Sequence, residues 1–189
     1  AFSLNAHYYL CLIGSGQKNY DMILLHSGKL LEYPNNPFAE EALILRAEVQ
    51  FNQQNTAEAL ASYKMLKEKA TNVERRQLAE TGILRCAFLL RDDVETIHAA
   101  TEVLAEAKLS PELKNEALYY RAKAYKNQKA DKKAALLNAF HACNMDGAVT
   151  VDDMAEYLGI SRRTVERRVK EHDKLTLENG NIKLAEKGE

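Results

Sequence analysis

The chain has 189 residues, room for one large domain or two small ones, of which 46% are apolar and 28% charged. That balance excludes a disordered chain. The net charge of −1, from 26 basic and 27 acidic residues, excludes a global field that would attract nucleic acid or acidic membranes. Eight Gly, three Pro and no Trp, in a chain dominated by Ala, Leu, Glu and Lys, exclude an all-β fold, because these side chains lose little rotamer freedom in helices.

Self-comparison organises most of the chain. Residues 42–59, ALILRAEVQFNQQNTAEA, align without a gap on residues 117–134, ALYYRAKAYKNQKADKKA. Between them GILRCAFLLRDD at 82–93 repeats the Arg-small dipeptide, and HYYLCLIGSGQKNYDMI at 7–23 places Cys11 in the same slot. Cys11, Ala47, Cys86 and Ala122 are thus spaced 36, 39 and 36 residues apart. Each unit reads as two amphipathic helices joined by a polar turn. The expected pairs are 4–14 with 19–32, 37–52 with 56–69, 74–90 with 93–107, and 111–127 with 130–144. Gly14-Ser15-Gly16 falls in the first inter-helix turn. Pro34, Pro37 and Pro111 mark helix starts or junctions, and Ser110-Pro111 is an N-cap followed by proline at the first helical position. Second helices carry apolar stripes, Ala59, Tyr63 and Leu66 in one and Ile97, Thr101 and Leu104 in another. A single unit cannot bury such a stripe, so the units must stack.

On these residues the stretch 4–134 resembles the tetratricopeptide-repeat family, with the usual aromatic and Gly of the first helix replaced by Leu43-Ala47 and Leu118-Ala122. The resemblance implies an α-α superhelix of about four helix pairs whose first helices line a groove for a protein or peptide. Its candidate lining is Ile44, Glu48, Phe51, Asn52, Arg91, Tyr119, Lys123 and Asn127, with Asn52 and Asn127 repeat-equivalent. Leu45, Leu84 and Tyr120 fit plain inter-helix packing better.

After residue 145 the pattern changes. GAVTVDDMAEYLGISRRTVERRVKEHD, 147–173, reads as a short helix, a turn at Gly159 and a second helix capped by Ser161. Met154, Ala155 and Leu158 on the first helix, and Val165 and Val169 on the second, face inward. KLTLENGNIKL, 174–184, is a hairpin signal around Asn179-Gly180. This order resembles a winged helix-turn-helix, its first helix supplied by 135–144. The same residues also complete the fourth repeat, so a fragment join or missing residues near 134–145 stays open. The expected organisation is therefore all-α, with repeats over 1–134 and a winged helix-turn-helix with one hairpin over 135–189.

The resemblance makes the second helix a candidate for DNA. Arg162, Arg163, Arg167, Arg168 and Lys170 outnumber Glu166 and Glu171 there, and Arg serves both guanine edges and phosphates. Ser161, Thr164 and Lys183 complete the candidate set, with Arg163, Thr164 and Arg167 toward bases and Arg162 and Lys183 toward phosphates. Residues 150–189 carry eight bases and nine acids, so one copy would bind weakly and dimerisation or an accessory role follows.

No chemistry of an enzyme is legible. The five His make no metal-ligand spacing, no Gly-rich phosphate loop is present, and Cys11, Cys86 and Cys143 fit no CxxC pattern. Neither a cofactor nor a metal is expected. No apolar stretch reaches the ~20 residues that span a bilayer, so no membrane insertion is expected and the expected location is the cytoplasm. Because the chain begins at Ala1 inside a helical pattern, it reads as a fragment or processed form, and a leader would have been lost with the missing part. The leading expectation is a non-catalytic scaffold whose C-terminal domain contacts double-stranded DNA. Two alternatives stand beside it: a sequence-specific transcriptional regulator whose repeats sense a signal or dimerise, and a bacterial envelope-associated assembly adaptor.

Overall fold

The structure is a computed structural model that describes residues 3–33, 36–144 and 148–185. It is predominantly helical, with nine helices and one small antiparallel sheet among the described residues. The chain divides into two compact units, Ala1–Tyr125 and Lys126–Glu189.

The first unit holds three helix pairs: α1 (Leu4–Gln17) with α2 (Tyr20–Leu31), α3 (Ala39–Asn52) with α4 (Thr56–Lys69), and α5 (Val73–Leu89) with α6 (Asp93–Ala105). The opening part of α7 (Pro111–Cys143) follows. Polar side chains start most of these helices. Ser3, Asn19, Asn72, Asp92 and Ser110 each accept a backbone N–H of the first turn. Pro34 lies outside the described residues. Past it, Asn36 is buried, donates to the Leu30 carbonyl at 2.9 Å and accepts the Phe38 N–H at 2.8 Å, tying the end of α2 to the start of α3.

The repeated small-residue slot lies buried between helices in the first three repeats. Cys11, Ala47 and Cys86 are all fully buried, and burial pushes the thiols of Cys11 and Cys86 up to about 11, so both stay protonated at neutral pH. Leu43, Ala59, Tyr63, Leu66, Leu84, Ala99, Val103 and Ala117 close the main core around Ala47 and Cys86, while Cys11 packs with Leu30 and Ala42 in a smaller cluster. Gly82 belongs to the same packing. A Cβ there would lie 2.5–2.6 Å from the ring carbons of Tyr63, so the aromatic ring rests directly on the glycine backbone.

Ion pairs recur between helices one repeat apart. Arg75 on α5 reaches Glu40 at 2.8 Å and also Glu41 on α3, Lys67 on α4 reaches Glu102 on α6 at 2.7 Å, and Arg85 on α5 holds Glu116 on α7. Such partly exposed pairs contribute little stability each, yet they fix which helix sits against which. Glu80 is the costly member, buried at 6% exposure, with one carboxylate oxygen 3.5 Å from Lys67 and the other lacking any hydrogen bond.

Three expectations are corrected. The first helix continues through Gly14-Ser15-Gly16 to Gln17, ending where Lys18 takes the left-handed conformation and Asn19 caps α2. On α6 the buried face is Thr96, Ala99, Ala100 and Val103. Thr101 is exposed, and Ile97 and Leu104 are only half-buried, because the small Ala pair allows the tighter contact. The fourth unit is not a helix pair: α7 runs unbroken from Pro111 to Cys143 through the turn expected near 128–129. Gln128-Lys129-Ala130-Asp131-Lys132-Lys133 contains no Gly or Pro, and Ala, Lys and Gln all favour helix, so nothing halts it. With no second helix folding back, Ala122 in the small-residue slot is exposed.

The second unit takes the rest of α7, β1 (Val149–Thr150), α8 (Val151–Leu158), α9 (Arg162–Lys170), β2 (Leu175–Glu178) and β3 (Asn181–Leu184). The strands form one antiparallel sheet in the order β1-β3-β2, with Val149 opposite Ile182 and Leu177 opposite Ile182 across the other edge. The hairpin turn has positive φ at both Asn179 and Gly180, as a two-residue type I′ turn requires. The core gathers Leu136, Ala139 and Phe140 of α7 with Val149, Val151, Met154, Val165, Val169, Leu175 and Ile182. Separate stretches of α7 thus serve the two cores: Leu113, Ala117 and Tyr120 the first, Leu136, Ala139 and Phe140 the second. Strand β1 was not expected from sequence; two residues are too short to leave a pattern. Gly147, and residues 186–189 of the expected C-terminal domain, lie outside the described residues.

Two substitutions test this arrangement. Gly82→Ala overpacks against Tyr63 and should lower stability by about 1–3 kcal/mol, outweighing the helix propensity that alanine adds. An unchanged urea midpoint would mean that the ring moves aside freely. Gln128→Pro should cost about 3 kcal/mol and reduce helicity by circular dichroism, since it breaks an interior helical hydrogen bond. A turn at that position would absorb the proline with little change.

Candidate functional site

Helix α8 is set by a reciprocal cap. The Thr150 hydroxyl accepts the Asp153 N–H at 3.1 Å while the Asp153 carboxylate accepts the Thr150 N–H at 2.9 Å. The Thr150 hydroxyl also donates to that carboxylate at 2.6 Å, and this bond, with the backbone one, holds the Asp153 carboxyl below the usual carboxylate range. The helix ends at Gly159, whose φ of +62° is the left-handed conformation that lets the chain turn sharply into the next helix. Ser161 then caps α9 by accepting the Thr164 N–H at 3.3 Å, and the two hydroxyls lie 2.9 Å apart. Val165 and Val169 are fully buried and pin one face of α9 to the core.

The outward face of α9 is the charged one. Arg163, Arg167 and Lys170 stand at i, i+4 and i+7, opposite the valines, and all three are exposed. Among the described residues none of them has an ion pair. Together with Thr164, Glu166 and Glu171 they line a shallow hollow of about 620 Å³. Arg168 is half-buried and lies outside that hollow.

Arg162 and Lys183 are placed differently. Arg162 donates to Asp152 of α8 at 2.6 Å and to Glu166 at 3.2 Å, so its guanidinium ties the two helices together. Both carboxylates hold its charge, with the Glu166 hydrogen bond the larger cause. Lys183 on β3 pairs with Glu178 on β2 at 2.7 Å. His172 anchors the approach to the hairpin. Its Nδ1 accepts the Lys174 N–H, which leaves Nε2 to donate to the Lys133 carbonyl at 3.0 Å, beside the Lys133–Asp173 ion pair.

The first unit contains a cleft of about 550 Å³ between α3 and α5. Glu48, Phe51 and Asn52 line it from α3, Gln77, Leu78, Thr81, Gly82 and Arg85 from α5, and Tyr63 of α4 forms part of its floor. Three of the groove residues expected from sequence, Glu48, Phe51 and Asn52, meet here. Ile44 is instead half-buried against the core, and Arg91 is exposed beyond the end of α5 with a φ of +58°. Tyr119 and Lys123 are exposed on α7 and do not line the cleft, and Asn127 lies on the part of α7 that belongs to the second unit. Leu84 is fully buried, Leu45 and Tyr120 are half-buried against core, and Tyr120 stacks on Phe88 with centroids 3.9 Å apart.

Electrostatics within the cleft are uneven. Arg85 is held in a two-pronged contact with Glu116, both bonds 2.8 Å, which keeps its charge firmly in place. Burial, with smaller contributions from Cys86 and Glu48, raises the Tyr63 phenol to about 12. Glu48 is accessible at the mouth, yet desolvation by the cleft walls lifts its carboxyl above the ordinary carboxylate range. The α4 and α5 contributors escaped sequence reasoning because the expected groove was built from first helices alone, and on α5 from repeat positions nearer its C-terminus. The contact between His7 and His26, Nδ1 to Nδ1 at 2.9 Å, also left no sequence signal, being 19 residues apart on two helices.

Among the described residues no group of three or more His, Cys, Asp or Glu could hold a metal ion, and no helix is long and apolar enough to cross a membrane. No family model, curated protein or solved structure matches the chain.

Proposed function

We propose that the chain is a non-catalytic interaction protein whose C-terminal unit, a winged helix-turn-helix, contacts double-stranded DNA through α9. The observation that carries this reading is the stripe Arg163, Arg167 and Lys170, set opposite the buried Val165 and Val169 and left without carboxylate partners among the described residues. A helix with one face locked in a core and the other offering unpaired guanidinium groups suits entry into a major groove, where Arg reads guanine edges in two-pronged contacts. Arg162 and Lys183 contribute less than their charge suggests, since each is engaged by acids of its own unit.

A second reading concerns the first unit, which we take as a tetratricopeptide-like repeat that receives a protein or peptide. The cleft between α3 and α5 supports it, with a volume inside the range of about 300–1,000 Å³ usual for ligand sites. The two readings are compatible in one scaffold.

The DNA reading is tested by fluorescence anisotropy of the full chain with a mixed-sequence duplex, followed by selection of preferred sequences. Arg163→Ala and Arg167→Ala should each cost about 1–3 kcal/mol and relax base preference. Arg162→Ala should have the smaller effect on affinity. Val165→Asp should abolish binding by unfolding the unit, because it buries an unpaired charge. Equal losses at Arg162 and Arg163 would mean that the stripe has no special role.

A further inference from the structure

The cleft between α3 and α5 carries one unbalanced charge. Glu48 has neither a hydrogen bond nor an ion pair among the described residues. The cation that lines it, Arg85, is held by Glu116 through its Nε and one Nη, so that pair brings no net charge to balance Glu48. Gln77 is also committed, donating to Glu106 at 3.0 Å. What the cleft offers an incoming ligand is therefore the Glu48 carboxylate, the amide of Asn52, the hydroxyl of Thr81, and the apolar walls Phe51 and Leu78. Leu78 is 37% exposed, a large apolar surface left at the rim.

We infer that this cleft takes an extended peptide segment presenting a Lys or Arg side chain to Glu48, with an apolar side chain of the same segment against Phe51 and Leu78. The inference rests on the peptide-binding reading of the first unit and adds the charge of the partner. An acidic or phosphorylated segment fits poorly: it would face the Glu48 carboxylate, and the charge of Arg85, the cation lining the cleft, is already neutralised by Glu116. A basic side chain gains a charge-assisted hydrogen bond in a partly desolvated place, where such a bond is stronger than at an open surface. The raised pKa of Glu48 is consistent with that: a carboxylate paying for desolvation without a partner is one that gains when a cation arrives.

The test uses the full chain panned against a phage library of random dodecapeptides, in the wild type and in Glu48→Gln, Glu48→Lys and Leu78→Ser. Glu48 and Leu78 are both surface-accessible, so thermal melting should confirm that each variant folds. Peptides lost on Leu78→Ser are assigned to the cleft, which separates them from acidic peptides drawn to α9. The expected result is enrichment of Lys or Arg within a few residues of an apolar side chain. The best such peptide should bind about tenfold more weakly to Glu48→Gln, and Glu48→Lys should reverse the preference toward acids. Cleft-assigned peptides without a basic residue, or with a basic preference that survives Glu48→Gln, would overturn the inference while leaving peptide binding intact. If no enriched peptide depends on Leu78, the peptide-binding reading fails and the inference with it.

Discussion

Close approach between helices is the constraint on which the first unit depends. A helix can lie tightly against its neighbours only where the residue between them is small, and Cys11, Ala47 and Cys86 supply that residue once per repeat, each with no exposed surface. Gly82 is the extreme case, since even a methyl group there would enter the Tyr63 ring. Once the slots set the spacing, larger side chains such as Leu43, Leu66 and Leu84 fill what is left. The cleft is a by-product of the same geometry. Tyr63 rests on the glycine, so space remains above it between α3 and α5.

The Arg that precedes the slots at Ala47 and Cys86 shows how one sequence feature takes different partners. Arg46 turns back to the Leu24 carbonyl on α2 at 2.9 Å, whereas Arg85 reaches forward to Glu116 on α7. The repeat spacing made both residues conspicuous, but nothing in the dipeptide dictates direction. That choice follows from what each neighbouring helix presents: a carbonyl and the Ser27 hydroxyl in one case, a carboxylate in the other. Engaging Arg85 also leaves Glu48 as the unbalanced charge of the proposed peptide cleft.

Much of the architecture was legible because it rests on local signals. Six of the helices in the first unit, the caps at Ser110 and Ser161, the turn at Gly159 and the Asn179-Gly180 hairpin all follow from residue types at fixed offsets. What stayed hidden depends on partners distant in sequence. Periodicity at 111–144 fits a helix pair and a single helix equally well, and only the lack of a breaker favours the continuous α7. On α6 the apolar Ile97 and Leu104 outweigh Ala99 and Ala100 in any hydropathy pattern, yet the small residues are the ones that permit contact. For the candidate sites, sequence named the basic residues of α9 but not which were already paired; Glu166, four residues on, and Asp152, on another helix, together decide that for Arg162.

In the second unit two valines and one cap hold α9 so that its arginines face outward, and the chain's overall charge of −1 offers no general attraction to a polyanion. The proposed contact with DNA rests on a few local charges, and its dependence on salt counts them. The decisive measurement is the affinity of the full chain for a duplex across a range of salt concentrations, with and without neutralisation of Arg163, Arg167 and Lys170 together. The account predicts that log K falls linearly with log salt concentration with a slope of about −2 to −3, as three cations brought into the DNA's counterion atmosphere, on base edges or phosphates, would give, and that the triple neutralisation nearly abolishes that slope. Absence of binding at low salt, or a slope unchanged by the neutralisation, would contradict it.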